Sequence, residues 1–412
     1  MRVNKFRQIN QNLSRGEVFT PPQLVVKILS KIPENVYLNK ESMFLIPGCG
    51  MGVFMIELVR ILVEKYGYSV EDAKSRVIGI DNRIKYINFL KRKGYRVYHL
   101  DFLKDELPMR EFDVIIGNPP YQESVSHGKK VTGNGALWVK FTIKSLELAK
   151  KDGYVGLVIP DSWTAPTYDL MGSRESIFND YFKKYNLTYV NFDVKKYFNG
   201  VGITPSVFLL KKSDDYTFTE VETSDNKINL NLSQMKFIPK DTNAISLSIH
   251  NKILTNIENS NTIKMRWSSD VLNIKTSDIQ NDIFKYKVID HHTYKPIRYG
   301  NLEDKDYNRI KLLFPYVGKY QVIKDDGVYG AKPQVSILFL NTKTELQSAY
   351  SFYSSKLITF VMDSNKWTQY LLTQILNFIK TPSFDVVYTE SDLYELFNLT
   401  QEEINYIENY VG

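Results

Sequence analysis

Apolar and polar positions follow a repeating rhythm through the first half of the chain. Phe44-Leu45-Ile46 is a short apolar run that stops at Pro47-Gly48. Behind it Phe54, Leu58, Ile61 and Leu62 recur at helical spacing. Arg76 to Ile80 predicts a second strand, ending at Asp81, and Ile84, Ile87 and Leu90 predict a helix closed by Gly94. Tyr95 to Leu100 predicts a strand leading to Asp101, and Phe112 to Ile116 one ending at Gly117-Asn118-Pro119-Pro120. A helix over Leu137 to Lys150 and a strand over Tyr154 to Ile159 follow, and Thr188 to Asp193 and Thr204 to Leu210 would close the sheet. Apolar strands separated by helices predict a parallel α/β sheet covered on both faces. Ligands of such sheets bind beyond the carboxyl ends of the strands, where the unusual residues of this chain stand.

After Lys211-Lys212-Ser213-Asp214-Asp215 the rhythm breaks. The remainder reads as a mixed α+β region with aromatic-rich short strands and two helices, Thr344 to Met362 and Trp367 to Ile379. A boundary near Lys212 divides the chain into residues 1–212 and 213–412. Gln122 to Gly135, polar and rich in glycine, predicts a mobile loop. Thr400-Gln401-Glu402-Glu403 is a capping-box pattern opening a small acidic helix.

Composition narrows the class. The chain has 412 residues, 43% of them hydrophobic, enough for two or three folded domains. One cysteine excludes an internal disulfide framework and a four-cysteine zinc site. No apolar run approaches the ~20 residues that span a bilayer. The polar, basic stretch Met1 to Asn10 does not read as a secretory signal. These features predict a soluble cytoplasmic protein. The net charge of +7 is uneven: residues 1–212 hold 32 basic and 21 acidic side chains, residues 213–412 hold 21 and 25. A basic first half suits a polyanionic partner.

Two motifs carry candidate chemistry. Asn118-Pro119-Pro120-Tyr121 follows a buried strand. Its prolines fix the backbone and remove two donors, so carbonyl oxygens can face a cavity as acceptors. Asn118 adds a side-chain acceptor and Tyr121 a flat face for stacking. Acceptors beside an aromatic plate suit a planar exocyclic amine. Pro47-Gly48-Cys49-Gly50-Met51-Gly52 lies between strand and helix, where backbone can approach a ligand closely. Its G-x-G-x-G spacing is neither the dinucleotide fingerprint nor a triphosphate loop, and favours another adenosine-containing ligand. Asp81 can accept ribose hydroxyls; Asp101, followed by Phe102, can accept an adenine amine.

Taken in order, Phe19-Thr20-Pro21-Pro22, the Pro47–Phe54 loop, Asp81, Asp101-Phe102 and Asn118–Tyr121 resemble the gamma-type adenine-N6 DNA methyltransferases that use S-adenosylmethionine. The resemblance covers about residues 15–212. It implies a class I, Rossmann-like methyltransferase sheet of seven strands, followed by a target-recognition domain. It implies that Thr20 and Pro21 hold the methionine end of S-adenosylmethionine, that Pro47, Gly48, Gly50 and Gly52 line it, that Asp81 binds ribose, and that Asp101 with Phe102 binds adenine. Asn118, Pro119, Pro120 and Tyr121 would hold a flipped adenine, with Phe198 as a second aromatic wall. The product would be S-adenosylhomocysteine, with no metal required. One position departs from the family: Ile46 stands where an acid usually precedes the proline of the glycine loop, and Glu17 or Glu57 would have to compensate.

The implied partner is double-stranded DNA, bound by a monomer in a bacterial or phage-infected cell, alongside a separate restriction endonuclease. Lys129 and Lys130 are candidate phosphate contacts. The stretches Lys264 to Trp267, His291 to Tyr299 and Tyr316 to Lys332 interleave basic and aromatic residues that could read DNA. Three rivals remain open at this point: an RNA or protein-glutamine N-methyltransferase, a DNA-binding anti-restriction protein without catalysis, and a dehydrogenase disfavoured by the glycine spacing.

Overall fold

The computed structural model describes residues 20–121, 137–164, 176–198, 204–255, 259, 262–266, 273–290, 297–315, 319–365 and 373–412. The chain divides into two compact units, one of Met1–Trp163 with Ile177–Leu230 and one of Thr164–Ser176 with Asn231–Gly412.

The first unit is built on one sheet. Its strands are β1 (Phe44–Pro47), β2 (Val77–Asp81), β3 (Arg96–His99), β4 (Phe112–Gly117), β5 (Ala149–Pro160), β6 (Asn186–Asn191), β7 (Pro205–Lys211), β8 (Thr219–Glu222) and β9 (Lys227–Leu230). They lie in the order β3-β2-β1-β4-β5-β7-β6-β8-β9. Strands β1 to β5 run parallel; β7 enters antiparallel between β5 and β6. Every residue of β1 and β2 is buried, as expected for strands covered on both faces.

The sheet therefore has nine strands, not seven. β8 pairs parallel with β6, and β9 antiparallel with β8. The Thr219 hydroxyl donates to the Leu187 carbonyl at 2.7 Å and Val221 is fully buried. The polar run 211–215, read as a domain boundary, is a turn inside the sheet, and the first unit continues to Leu230. Glutamates at 220 and 222 hid the strand from a hydrophobicity pattern. They are tolerated because Lys27 of a neighbouring helix and Lys31 just after its end pair with them.

That helix, α1 (Pro22–Leu29), was not anticipated, although its signals are present. Pro22 stands at its first position and Leu24, Val25, Ile28 and Leu29 form one buried stripe. A short α2 (Glu34–Leu38) precedes β1; α3 (Val53–Glu64) and α4 (Val70–Arg76) join β1 to β2. The Ser69 side chain caps α4 by accepting from the Asp72 amide. α5 (Ile84–Arg92) joins β2 to β3, and α6 (Leu137–Leu148) precedes β5.

The second unit holds helix α7 (Ala244–Ile253) and two four-stranded sheets. One contains β10 (Lys264–Met265), β14 (Lys311–Pro315), β15 (Ile323–Asp325) and β17 (Val335–Phe339); the other contains β11 (Thr276–Ser277), β12 (Tyr286–Ile289), β13 (Ile297–Gly300) and β16 (Gly330–Ala331). The single helix expected over 344–362 is two, α8 (Lys343–Tyr353) and α9 (Lys356–Ser364). Ser355 starts the second by accepting the Ile358 amide, which breaks the run. The described end of the other expected helix, Thr373–Phe378, is a 3-10 helix. The chain closes with α10 (Glu390–Leu396) and α11 (Gln401–Val411), the latter opened by the expected box: the Thr400 side chain accepts from the Glu403 amide, and the Glu403 carboxylate from the Thr400 amide.

Candidate active site

Parallel pairing of β1 with β4 sets Leu45 beside Ile115, so the segments after both strands emerge side by side. A Cβ built on Gly117 would lie 3.3 Å from the Pro47 carbonyl oxygen. One built on Gly48 would lie 3.5 Å from Pro120 Cδ and 4.0 Å from Pro119 Cα. The glycine loop and the Asn118–Tyr121 corner thus lie side by side, although 70 residues separate Gly48 from Asn118 in sequence.

The corner is well held. Pro119 is buried, Pro120 exposed, and Asn118 and Tyr121 half-buried. The Asn118 Nδ2 donates to Thr20 Oγ1 at 3.0 Å, and Asn118 makes no other hydrogen bond among the described residues. Its carbonyl end is therefore left to accept. The Tyr121 carbonyl accepts the Leu137 amide at 3.1 Å. Burial pushes the Tyr121 hydroxyl well above the ordinary tyrosine value, so it stays neutral.

The glycine loop turns sharply into α3. Gly52 adopts φ +81° and Gly50 φ +53°, left-handed conformations that favour glycine. A Cβ on Gly50 would meet no atom within 4 Å, which leaves room for a ligand against the backbone. A Cβ on Gly52 would come within 2.5 Å of Leu90 Cδ2. Room at Gly50 beside a carboxylate fits an adenosine-containing cofactor.

That carboxylate is Asp81, 3% exposed at the end of β2. Its Oδ2 accepts from the Gly50 amide at 2.9 Å and from Arg83 Nη2 at 2.9 Å. Its Oδ1 accepts from the Arg83 amide and Arg83 Nε, each at 2.9 Å. The four acceptor sites of the carboxylate are filled, two of them by the Arg83 guanidinium. Asp101 opens a turn, accepting from the Leu103 amide at 3.0 Å and pairing with Lys104 at 3.3 Å. Phe102 is buried, its ring centroid 4.9 Å from that of Phe141.

Sequence reading passed over Phe141 and Arg83. Phe141 lies 3.9 Å from the Gly48 Cβ position and packs on Phe102, so it links the glycine loop to the turn after β3. Its signal was the buried stripe Trp138, Phe141, Thr142, Ser145 and Leu146 of α6. Arg83 had no signal, because its role depends on a side chain folding back two residues.

Other expected positions fall differently. Phe198 is buried in the apolar cluster that contains Leu24, Val25 and Val194, and no ring contact with Tyr121 occurs among the described residues. Ile46 is 2% exposed in the same cluster. Glu57 does not stand in for the missing acid, since Arg60 holds it at 2.9 Å. Glu17, Phe19, Lys129, Lys130, Trp267, His291, His292 and Tyr316 lie outside the described residues. In the second unit, Arg266 is buried: its Nη1 donates to Asp304 Oδ2 at 2.6 Å and to the Ala331 carbonyl at 3.0 Å. Arg298 pairs with Asp278 and Asp290, and Lys332 with Asp290. Arg266 is thus spent inside the fold, whereas Arg298 and Lys332 are partly exposed and share the buried Asp290. No group of three or more His, Cys, Asp or Glu side chains placed to hold a metal occurs among the described residues. No described helix is long and apolar enough to cross a membrane. A cavity of about 410 Å³ lined by Lys252, Lys380, Asn398 and neighbours belongs to the second unit and includes none of the motif residues.

Residues 36–198 match the family model described as Eco57I restriction-modification methylase. A protein of Mycoplasma pneumoniae named "Uncharacterized adenine-specific methylase" is 32% identical over 125 residues, which are 28% of this chain and 28% of that protein. The methylase subunit of the type I restriction enzyme MjaVII from Methanocaldococcus jannaschii is 30% identical over 116 residues, 27% of this chain and 19% of that protein. The chain thus spans less than a third of the curated relatives it matches. Among solved structures, the type IIG restriction endonuclease BpuSI aligns over 93% of this chain and 61% of its own, at 12% identity and a TM-score of 0.45, too low to carry an argument. Together the family match and the curated relatives support, for residues 36–198, the restriction-modification adenine methyltransferase that the motifs resemble.

Proposed function

We propose that this protein is a sequence-specific DNA adenine-N6 methyltransferase using S-adenosylmethionine. The observation that carries the reading is adjacency: a Cβ placed on Gly48 of the cofactor-type loop would reach Pro119 and Pro120 of the amine-type corner at van der Waals distance. A methyl donor and an exocyclic amine need that proximity for transfer.

Each residue then has a task. Pro47, Gly48 and Gly50 line the cofactor, with the methionine end toward Pro21, while Gly52, closed against Leu90, lets the loop turn into α3. Asp81 takes the ribose hydroxyls as they displace the Arg83 guanidinium, and Asp101 with Phe102 takes the adenine ring. When bound, S-adenosylmethionine supplies a methyl group already activated on a sulfonium. The Asn118 carbonyl and the Pro119 carbonyl accept the two N6 protons of the target adenine. That draws the nitrogen lone pair out of conjugation with the ring. Tyr121 stacks on the base, which must leave the duplex to reach the cleft. Such stacking recovers roughly 1–3 kcal/mol of the lost helix stacking. Phe198 becomes a second wall only if its buried ring rotates toward the cleft. The second unit would select the site on double-stranded DNA, and a separate restriction endonuclease would act on the same sequence.

Expression in a methylation-free bacterial host, followed by sequencing of the genome for modified bases, tests the reading. N6-methyladenine in one sequence context is expected, absent with Asn118→Ala although that variant still binds S-adenosylmethionine. An unmodified genome with well-folded, cofactor-bound protein would refute it.

A further inference from the structure

The resemblance puts the Thr20 hydroxyl at the methionine end of the cofactor, but the structure gives it a different partner. Thr20 is 6% exposed, and its Oγ1 accepts from Asn118 Nδ2 at 3.0 Å. Neither side chain has another hydrogen bond among the described residues. The two residues are 98 apart in sequence, so something must hold them together.

Helix α1, which starts two residues after Thr20, is anchored for that purpose. Its apolar stripe is buried in the cluster beneath the sheet. Lys27 on its polar side pairs with Glu222, and Lys31 in the turn after it with Glu220, both on β8. The Tyr189 hydroxyl donates to Glu222 at 2.8 Å, and the Lys31 ammonium sits 4.7 Å from the Tyr189 ring centroid. The strand that lengthens the sheet beyond seven is thus the one that locks α1 in place.

We propose that Thr20 is a positioning residue that tethers the Asn118 carboxamide beside the site, so that its carbonyl stands ready for the target amine. The inference rests on the methyltransferase reading above. A carboxamide has a donor end and an acceptor end, and an amine needs the acceptor. With Thr20 accepting from Nδ2, the carbonyl is the end presented to the cleft. Without that hydroxyl the carboxamide loses its tether and turns about its own bond, so its carbonyl is no longer held toward N6.

The test uses the full-length protein and labelled methyl transfer to unmethylated bacterial genomic DNA, with adenine as the scored base. Thr20→Val keeps the shape and removes the acceptor. At saturating S-adenosylmethionine its kcat should fall about tenfold to a hundredfold, the effect of leaving one partly buried donor unpaired. The S-adenosylmethionine Kd by calorimetry should stay within about threefold of the parent value. Thr20→Ser, which restores the acceptor, should recover most of the rate. An unchanged kcat in a folded Thr20→Val protein overturns the proposal. So does a raised Kd with kcat intact, which would make Thr20 a cofactor contact. Should Thr20→Val fail to fold, Thr20→Ser and Thr20→Ala decide, since only the serine should keep the rate. A parent protein that transfers nothing refutes the methyltransferase reading itself.

Discussion

Two glycines of the loop after β1 separate ligand binding from folding. Gly50→Ala and Gly52→Ala both place a side chain in the left-handed region, which costs roughly 1–2 kcal/mol for an L residue. At Gly50 nothing else is paid, because the new methyl group points into open space. At Gly52 the methyl group would overlap Leu90 Cδ2 at 2.5 Å, and Leu90 is fully buried. Forcing that side chain aside adds about 1–3 kcal/mol. In a unit of about 200 residues, 1 kcal/mol moves Tm by roughly 2–4 °C. Gly50→Ala should therefore lower Tm by only a few degrees, and Gly52→Ala by roughly twice that or more. Cofactor affinity should run the other way relative to stability. The space at Gly50 is where the ligand would lie, so Gly50→Ala should weaken S-adenosylmethionine binding by more than about tenfold despite its mild effect on folding. Leu90→Ala added to Gly52→Ala removes the overlap and should leave less than the sum of the two costs. Thermal unfolding and calorimetry read both quantities. A Gly50→Ala variant that binds the cofactor like the parent would refute the placement of the ligand at this loop.

Other outcomes follow from particular contacts. Arg83→Ala frees two of the four acceptor positions of Asp81, and S-adenosylmethionine should bind about fivefold tighter, the equivalent of one partly exposed ion pair no longer displaced; calorimetry showing weaker binding would mean that Arg83 holds the ligand instead. His250 is fully buried, donates from Nδ1 to the Ser246 carbonyl at 2.7 Å and accepts the Asn365 amide on Nε2 at 2.9 Å; burial pushes its pKa down to about 4. Because the folded value lies below the unfolded one, the contribution is complete above pH 6.5 and declines as pH falls toward 4, by about 3 kcal/mol in all. Denaturant unfolding of the protein and its His250→Gln variant across that range should show a steeper loss toward pH 4 in the parent than in the variant, which keeps the carboxylates' share. Lys311 and Asp325 form an ion pair without solvent exposure, and Lys311→Met should cost about 3–5 kcal/mol by stranding the carboxylate; a stability loss below about 1 kcal/mol in the same unfolding assay would show that the pair is not buried in solution.

Local chemistry was enough to announce the sheet, its glycine loop and its proline corner. Strands β1, β2, most of β4 and the second half of β5 are buried, so they had to be apolar runs, and the residues breaking those runs marked the carboxyl ends where ligands bind. The capping box at Thr400 was legible for the same reason: a hydrogen bond between residues three apart needs no distant partner. What depended on distant partners was hidden. β8 is half acid, and its glutamates find their partners in Lys27 and Lys31, about 190 residues away. Arg266 looked like a free cation until Asp304, 38 residues away, neutralised it inside the fold. Phe198 fitted an aromatic wall by sequence and lies in the apolar cluster by packing. The contact between Thr20 and Asn118 has no counterpart in any periodicity, because it exists only where a helix start and a strand end converge. A chain advertises the chemistry of its residues one at a time, whereas which oxygen faces which proton is settled by packing across the whole unit.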